Sequence, residues 1–237
     1  PDTLTSRHNL AYAYQEAGRL TEAITLYEQV LPDRTRVLGE DHPDTLTTRH
    51  NLAYAYREAG RLTEAITLFE QVLTDHTRVL GEDHPDTLTT RNNLAYSYHA
   101  AGRLTEAITL YEQVLTDHTR VLGEDHPDTL TTRNNLAYAY QEAGRLTEAI
   151  TLFEQVLTDH TRVLGEDHPD TLTTRNNLAY SYHTAGRLTE AIMRWQAVCA
   201  DCLRILGPDH PLTATVRENL EAAKQELERQ EEDSAAE

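Results

Sequence analysis

The sequence predicts an all-α solenoid of five helix-turn-helix hairpins followed by a C-terminal capping helix, and three observations carry that expectation. The segment PDTLT recurs at Pro1, Pro43, Pro85, Pro127 and Pro169, always 42 residues apart, with a divergent sixth start at Pro211. Within one period the apolar residues fall at helical spacing on two separate faces. Leu46, Leu52, Ala53, Tyr56 and Ala59 form one, and Leu62, Ala65, Ile66, Phe69, Val72, Leu73, Val79 and Leu80 the other. Proline opens each period and glycine closes each half of it, as at Gly60 and Gly81. No single hairpin covers both of its apolar faces, so such units stack, and roughly three or more are needed for a continuous core.

The elements follow in order. Repeats 1 to 5 span residues 1–42, 43–84, 85–126, 127–168 and 169–210, a capping helix spans 211–229, and an acidic tail, 230–237, is expected to fray. In repeat 2 the fixed φ of Pro43 suits the first helical position, and Asp44 favours the positive first turn. Gly60 supplies the left-handed residue that ends this helix. Thr63 is expected to cap the second helix, which runs about 17 residues, roughly 26 Å, to Gly81. The loop GEDH then leads to the next proline. The capping helix carries Leu212, Val216, Leu220, Ala223 and Leu227 before turning polar, as a terminal unit does. The first hairpin has no such cover, so its outer face is expected to be exposed.

Composition narrows the partners. With 21 Lys and Arg against 39 Asp and Glu, the formal net charge is -18. A polyanion without a basic stripe repels phosphate backbones and anionic headgroups, which argues against nucleic acid and bare membranes as partners. Apolar runs of a few residues fall far short of the roughly 18 that a membrane-spanning helix needs. Cys199 and Cys202 are the only cysteines, so the expectation is a reducing, cytoplasmic setting without a disulfide framework. A chain that opens on Pro1 and has Met193 as its sole methionine reads as a piece of a longer protein.

The run LAYAYREAGRLTEAITLFEQVL, Leu52 to Leu73, resembles the tetratricopeptide repeat: Leu52, Ala53, Tyr56, Gly60, Ala65 and Phe69 match its pattern in order and spacing. The period is 42 rather than the usual 34, Arg49 stands where the pattern has Trp, and its closing Pro is missing. The longer period with NNLA and GEDHPDT resembles the variant of kinesin light chain and of bacterial multidomain signalling proteins. The resemblance implies a right-handed superhelix whose first helices line a concave groove. It also implies a protein or peptide as partner and a role as the interaction or sensor arm of a larger protein.

That face carries an asparagine ladder, Asn9, Asn51, Asn93, Asn135 and Asn177, and a parallel tyrosine ladder, Tyr12, Tyr54, Tyr96, Tyr138 and Tyr180. Asparagine offers donors and acceptors to any peptide backbone, and tyrosine offers rigid amphipathic contact. The alternative is that the asparagines bond across to the adjacent repeat and the tyrosines fill the groove wall. Near-identical repeats differ mainly on this same helix, at Gln15, Arg57, His99, Gln141 and His183, which either individualises the groove or reflects drift at exposed positions. Threonines at Thr5, Thr47, Thr89, Thr131 and Thr173 replace the lysines of a carboxylate clamp. A second expectation is homodimerisation, through stacking or exchange of hairpins at the uncovered first repeat.

No enzyme, metal or cofactor is expected. Identical repeats place the same groups five times, whereas an active site needs unlike groups converging. CADC at 199–202 reads as packing within a helix. The EDHPD loops, as at Asp41, His42 and Asp44, read as helix starts. His76, His118 and His160, replaced by Arg34 and Cys202 in the outer repeats, read as a partly exposed packing site.

Overall fold

The computed structural model describes residues 2–236. Among them are eleven helices and no strand. The first helices of the hairpins are α1 (Asp2–Glu16), α3 (Pro43–Glu58), α5 (Pro85–Ala100), α7 (Pro127–Glu142) and α9 (Pro169–Thr184). The second helices are α2 (Leu20–Leu38), α4 (Leu62–Leu80), α6 (Leu104–Leu122), α8 (Leu146–Leu164) and α10 (Leu188–Ile205), and α11 (Pro211–Ala236) follows. The chain divides into two compact units, the first ending at Val121 and the second beginning at Leu122.

Local chemistry fixes the boundaries. Each interior first helix starts on proline, and the histidine before it caps the turn: His42 Nδ1 accepts from the Asp44 N–H at 3.1 Å, and His84 from Asp86 at 3.2 Å. The EDHPD loops thus use imidazole as a helix cap, with the following aspartate in the first turn. Gly60, at φ 73°, sits in the left-handed region that closes α3. Gly81, at φ 95°, allows the sharp exit from α4 that a side chain would strain.

Two expectations need correction. Thr63 does not cap α4. The helix begins at Leu62 with Arg61 as its N-cap and no side-chain cap bond. Instead the Arg61 guanidinium lies 4.3 Å over the Tyr56 ring and its Nε donates to Glu64 at 3.0 Å, which pins the turn from outside. The helix from Pro211 does not end at 229 but runs to Ala236, since no glycine or proline follows to stop it.

In the first unit α3 packs on both α2 and α4, and α4 also packs on α5. Phe69 is fully buried in a cluster with Ala53, Ala65, Ile66 and Leu94, and Tyr27 is the equivalent residue of a second cluster with Ala11, Ala23, Ile24, Leu52 and Ala55. In the second unit Trp195 occupies this position, among Leu178, Ile192, Val198 and Val216. Threonines tie α5, α9 and α11 to the turn before each: Thr87 donates to the Gly81 carbonyl, Thr171 to Gly165 and Thr213 to Gly207, all at 2.8 Å.

A second tie is polar in the interior and apolar at the end. Arg34 donates to Thr48 Oγ1 at 2.7 Å, His76 Nδ1 lies 3.0 Å from Thr90 Oγ1, and His160 Nδ1 lies 2.9 Å from Thr174 Oγ1. At the last junction the equivalent residues are Cys202 and Val216, both fully buried in one apolar cluster. His76 and His118 are therefore buried rather than partly exposed as the sequence suggests. For His76 the reason is that the next helix supplies partners for its imidazole, the Asp86 carbonyl as well as Thr90.

Phe69→Ala is expected to cost about 3–5 kcal/mol in chemical denaturation, the range for emptying a fully buried aromatic site. The Tyr111 hydroxyl is buried without a hydrogen-bond partner at the position where repeats 2 and 4 carry Phe69 and Phe153. Tyr111→Phe is accordingly expected to raise stability by about 1 kcal/mol in the same measurement.

Candidate functional site

Tyrosine and asparagine recur at spacings of three on the first helices, so both ladders follow from helical geometry. In the first unit Asn9 is exposed, Asn51 and Asn93 are half-buried, and Tyr12 and Tyr96 are 50% and 45% exposed. Tyr54, Arg57 and His99 are half-buried. In the second unit Asn135, Tyr138, Gln141 and His183 are half-buried, Asn177 is buried, and Tyr180 is 44% exposed.

Two members of the asparagine ladder, Asn51 and Asn93, are engaged between helices. Asn51 Nδ2 lies 3.4 Å from His8 Nε2, and Asn93 Nδ2 lies 3.3 Å from His50 Nε2. The partner is the residue that precedes the ladder asparagine in the earlier repeat. In the second unit Asn176 holds the same place, accepting from Trp195 Nε1 at 2.9 Å and from Asn219 at 3.4 Å. Sequence reading missed His8, His50 and Asn176, although the doublets His8-Asn9, His50-Asn51 and Asn176-Asn177 were the available signal.

The variable residues are also partnered. Gln15 donates to Glu58 at 3.2 Å, Ser181 donates to Gln141 at 2.5 Å, and His183 Nε2 lies 2.9 Å from a Glu226 carboxylate oxygen. His99 packs edge-on to Tyr111, and Tyr138 edge-on to Phe153. Arg57 does most. Its NH1 donates to Asn93 Oδ1 at 3.0 Å, and its guanidinium lies 4.1 Å over Tyr54 and 4.9 Å over Tyr96. These residues, with Glu58, Leu62, Asn92 and Ala100, line a cleft of about 500 Å³.

Behind this face lie two histidines with depressed basicity. His8 is pushed down to about 4, first by burial and then by the Arg34 guanidinium, against the pull of Asp44. His50 is pushed down to about 4, first by burial and then by His76 and Arg57, against Asp86. Burial also lowers His76 and His160. Cys202 is buried and free, and its thiol is raised by burial, so it is not poised as a thiolate. Among the described residues no three His, Cys, Asp or Glu side chains gather to hold a metal ion, and no helix is long and apolar enough to cross a membrane.

Hairpins in tandem, with a polar-aromatic face on the first helix of each, define a helical repeat scaffold. The tetratricopeptide repeat profile matches residues 2–74, 50–116, 89–159, 131–200 and 176–232, and the chain belongs to that family. It is similar to a kinesin-light-chain-like protein of Podosopora anserina with nearly identical TPR-like repeats, at 36% identity and a TM-score of 0.77, over 86% of this chain and 97% of that one. It shares its fold with BtubC (BKLC) from P. vanneervenii, at 24% identity and a TM-score of 0.72, over 85% of this chain and 80% of that one. No curated protein matches. The family is in general a non-catalytic scaffold for protein interaction.

The histidines set a pH dependence. Their folded values lie below the ordinary value of 6.5, so between roughly pH 6.5 and 4 the unfolded chain binds protons that the folded chain refuses. Their contribution is complete above about pH 6.5 and is lost as pH falls toward 4, on the order of 1.4 kcal/mol per unit of displacement. Thermal melts should fall between pH 7 and 5. They should fall less in His8→Asn/His50→Asn, which carries the residue that repeats 3 to 5 have there.

Proposed function

We propose that the chain is a protein- or peptide-binding scaffold, the interaction or sensor arm of a larger cytoplasmic protein, with the tyrosine face of its first helices as the groove. The observation that carries this reading is the exposure of Tyr12 and Tyr96 on first helices of the first unit and of Tyr180 on a first helix of the second. Tyrosines about half exposed add little to a core, and they are the residues an interface recruits for rigid amphipathic contact. Affinity on this face comes from the rings, and the amides of Asn51 and Asn93 hold the helices that present them. The role is binding, since tyrosine hydroxyls and asparagine amides recur unchanged from repeat to repeat on these helices, whereas an active site needs unlike groups converging.

Partners recovered with the full chain as bait are titrated against Tyr12→Ala/Tyr96→Ala. The expected loss is tenfold or more in affinity with an unchanged circular dichroism spectrum. Unchanged affinity in the folded variant moves binding off this face.

A second reading, self-assembly through the first hairpin, rests on Leu10. It is 46% exposed, whereas its equivalents Leu52 and Leu94 are each 4% exposed. An open α1 face of this kind would accept a second copy by stacking or exchange. Light scattering of the full chain is expected to give a mass that rises with concentration and returns to the monomer in Leu10→Glu. A constant monomer mass in the wild type sinks this reading.

A further inference from the structure

At the junction of repeats 2 and 3 a half-buried imidazole, a bridging amide and a half-buried guanidinium form one continuous chain of contacts. Arg57 has only donors, so the bond from its NH1 to Asn93 requires the amide oxygen to face Arg57. The amide nitrogen of Asn93 then faces His50 Nε2, 3.3 Å away. A donor pointed at Nε2 assigns that atom as an acceptor, so His50 is neutral with its proton on Nδ1, 3.1 Å from Thr90 Oγ1.

A second proton has only Nε2 to occupy, where it would meet the N–H groups of the amide. The clash is relieved when the amide turns its oxygen to His50. That rotation presents the amide nitrogen to Arg57 and breaks the bond that holds the guanidinium between two rings. We propose that His50, Asn93 and Arg57 form a pH-responsive latch on the tyrosine cleft, in which protonation of His50 releases Arg57 from between Tyr54 and Tyr96.

The groups that face His50 are His76 on α4, whose ring is stacked 6.3 Å away, Asp86 on α5, and Arg57 on its own helix. Asp86 favours the proton, and His76 and Arg57 oppose it. Arg34 on α2 is spent on Thr48 and the Asp44 carbonyl, and His8 on α1 on Thr48 and Asn51. Repeat 1 supplies an internal contrast. There Gln15 stands in the place of Arg57 and bonds Glu58, so nothing cationic holds the Asn51 amide as it faces His8. The latch belongs to the junction where arginine occupies the variable position.

Its consequence for binding rests on the groove reading above, but its test uses no ligand, so the two fail separately. In 15N-labelled full chain the Arg57 Nε–Hε resonance, displaced by the ring currents of Tyr54 and Tyr96, is followed with the His50 imidazole as pH is lowered from 7.5. The Arg57 signal is expected to move with the midpoint of His50 and to stay flat over the same range in His50→Asn. Should acid unfold the chain first, the reverse arm decides. Asn93→Ala removes the opposing donor and keeps the Arg57 charge, and it is expected to raise the proton affinity of His50 about tenfold, by the reciprocity of linked equilibria. An Arg57 signal that moves equally in His50→Asn, or a His50 whose proton affinity is unchanged or reduced in Asn93→Ala, overturns the proposal.

Discussion

The hairpins of this molecule depend on a first helix lying between two second helices, as α3 lies between α2 and α4 and α9 between α8 and α10. In α3 the buried residues Thr45, Leu46, Thr48, Leu52, Ala53 and Ala55 form not a narrow stripe but a broad face covering about half the circumference. A helix so arranged has no stable position on a single partner. It is held on one side by its own hairpin and on the other by the preceding one, and the alanines let both come close. The threonines that a simple amphipathic pattern would send to solvent are buried because the neighbouring turn supplies carbonyls for them, as Gly81 does for Thr87. The second helices, with Ala65, Ile66, Phe69 and Val72 inward, are conventionally amphipathic.

The acidic balance has a local explanation. Nearly all the basic residues are arginine, Lys224 being the one lysine, and most are committed to structure: Arg49 pairs with Asp75 and Arg91 with Asp117 across each hairpin, and Arg78 reaches both Asp75 and Asp41. Arg61 and Arg103 lie over Tyr56 and Tyr98 at the turns. Planar guanidinium serves both the paired and the stacked roles, which lysine does not. The tyrosine cleft is unusual in this setting because Arg57 brings a cation to the first-helix face.

The architecture was legible because period, proline and glycine all marked the same boundaries. The helix from Pro43 and the turn at Gly60 came from residues whose backbone preferences leave little choice. The start of α4 was misread because Thr63 has the right side chain, whereas the cation that pins the turn, Arg61, is recruited by a ring five residues before it, Tyr56. The burial of His76 was hidden for a similar reason: its partners lie on the next repeat, and variation among Arg34, His76 and Cys202 looked like tolerance when it was a change of partner chemistry. At the candidate site the ladders were visible as periodicity. What periodicity could not reveal is that Asn51 and Asn93 are half-buried and turned toward histidines of the preceding repeat.

The replacement of the polar tie by Cys202 and Val216 bears on how such a gene can change length. The ties at Thr48, Thr90 and Thr174 all set a basic or imidazole side chain against a hydroxyl, so an interior hairpin duplicated or deleted between them meets neighbours of the kind it already had. The junction between α10 and α11 uses a different, apolar chemistry, with Cys202 against Val216 where the others set a polar group against threonine. Recombination between nearly identical 42-residue segments can therefore lengthen or shorten the stretch of polar ties without creating a junction of a new kind, which makes the reach of the array an adjustable property.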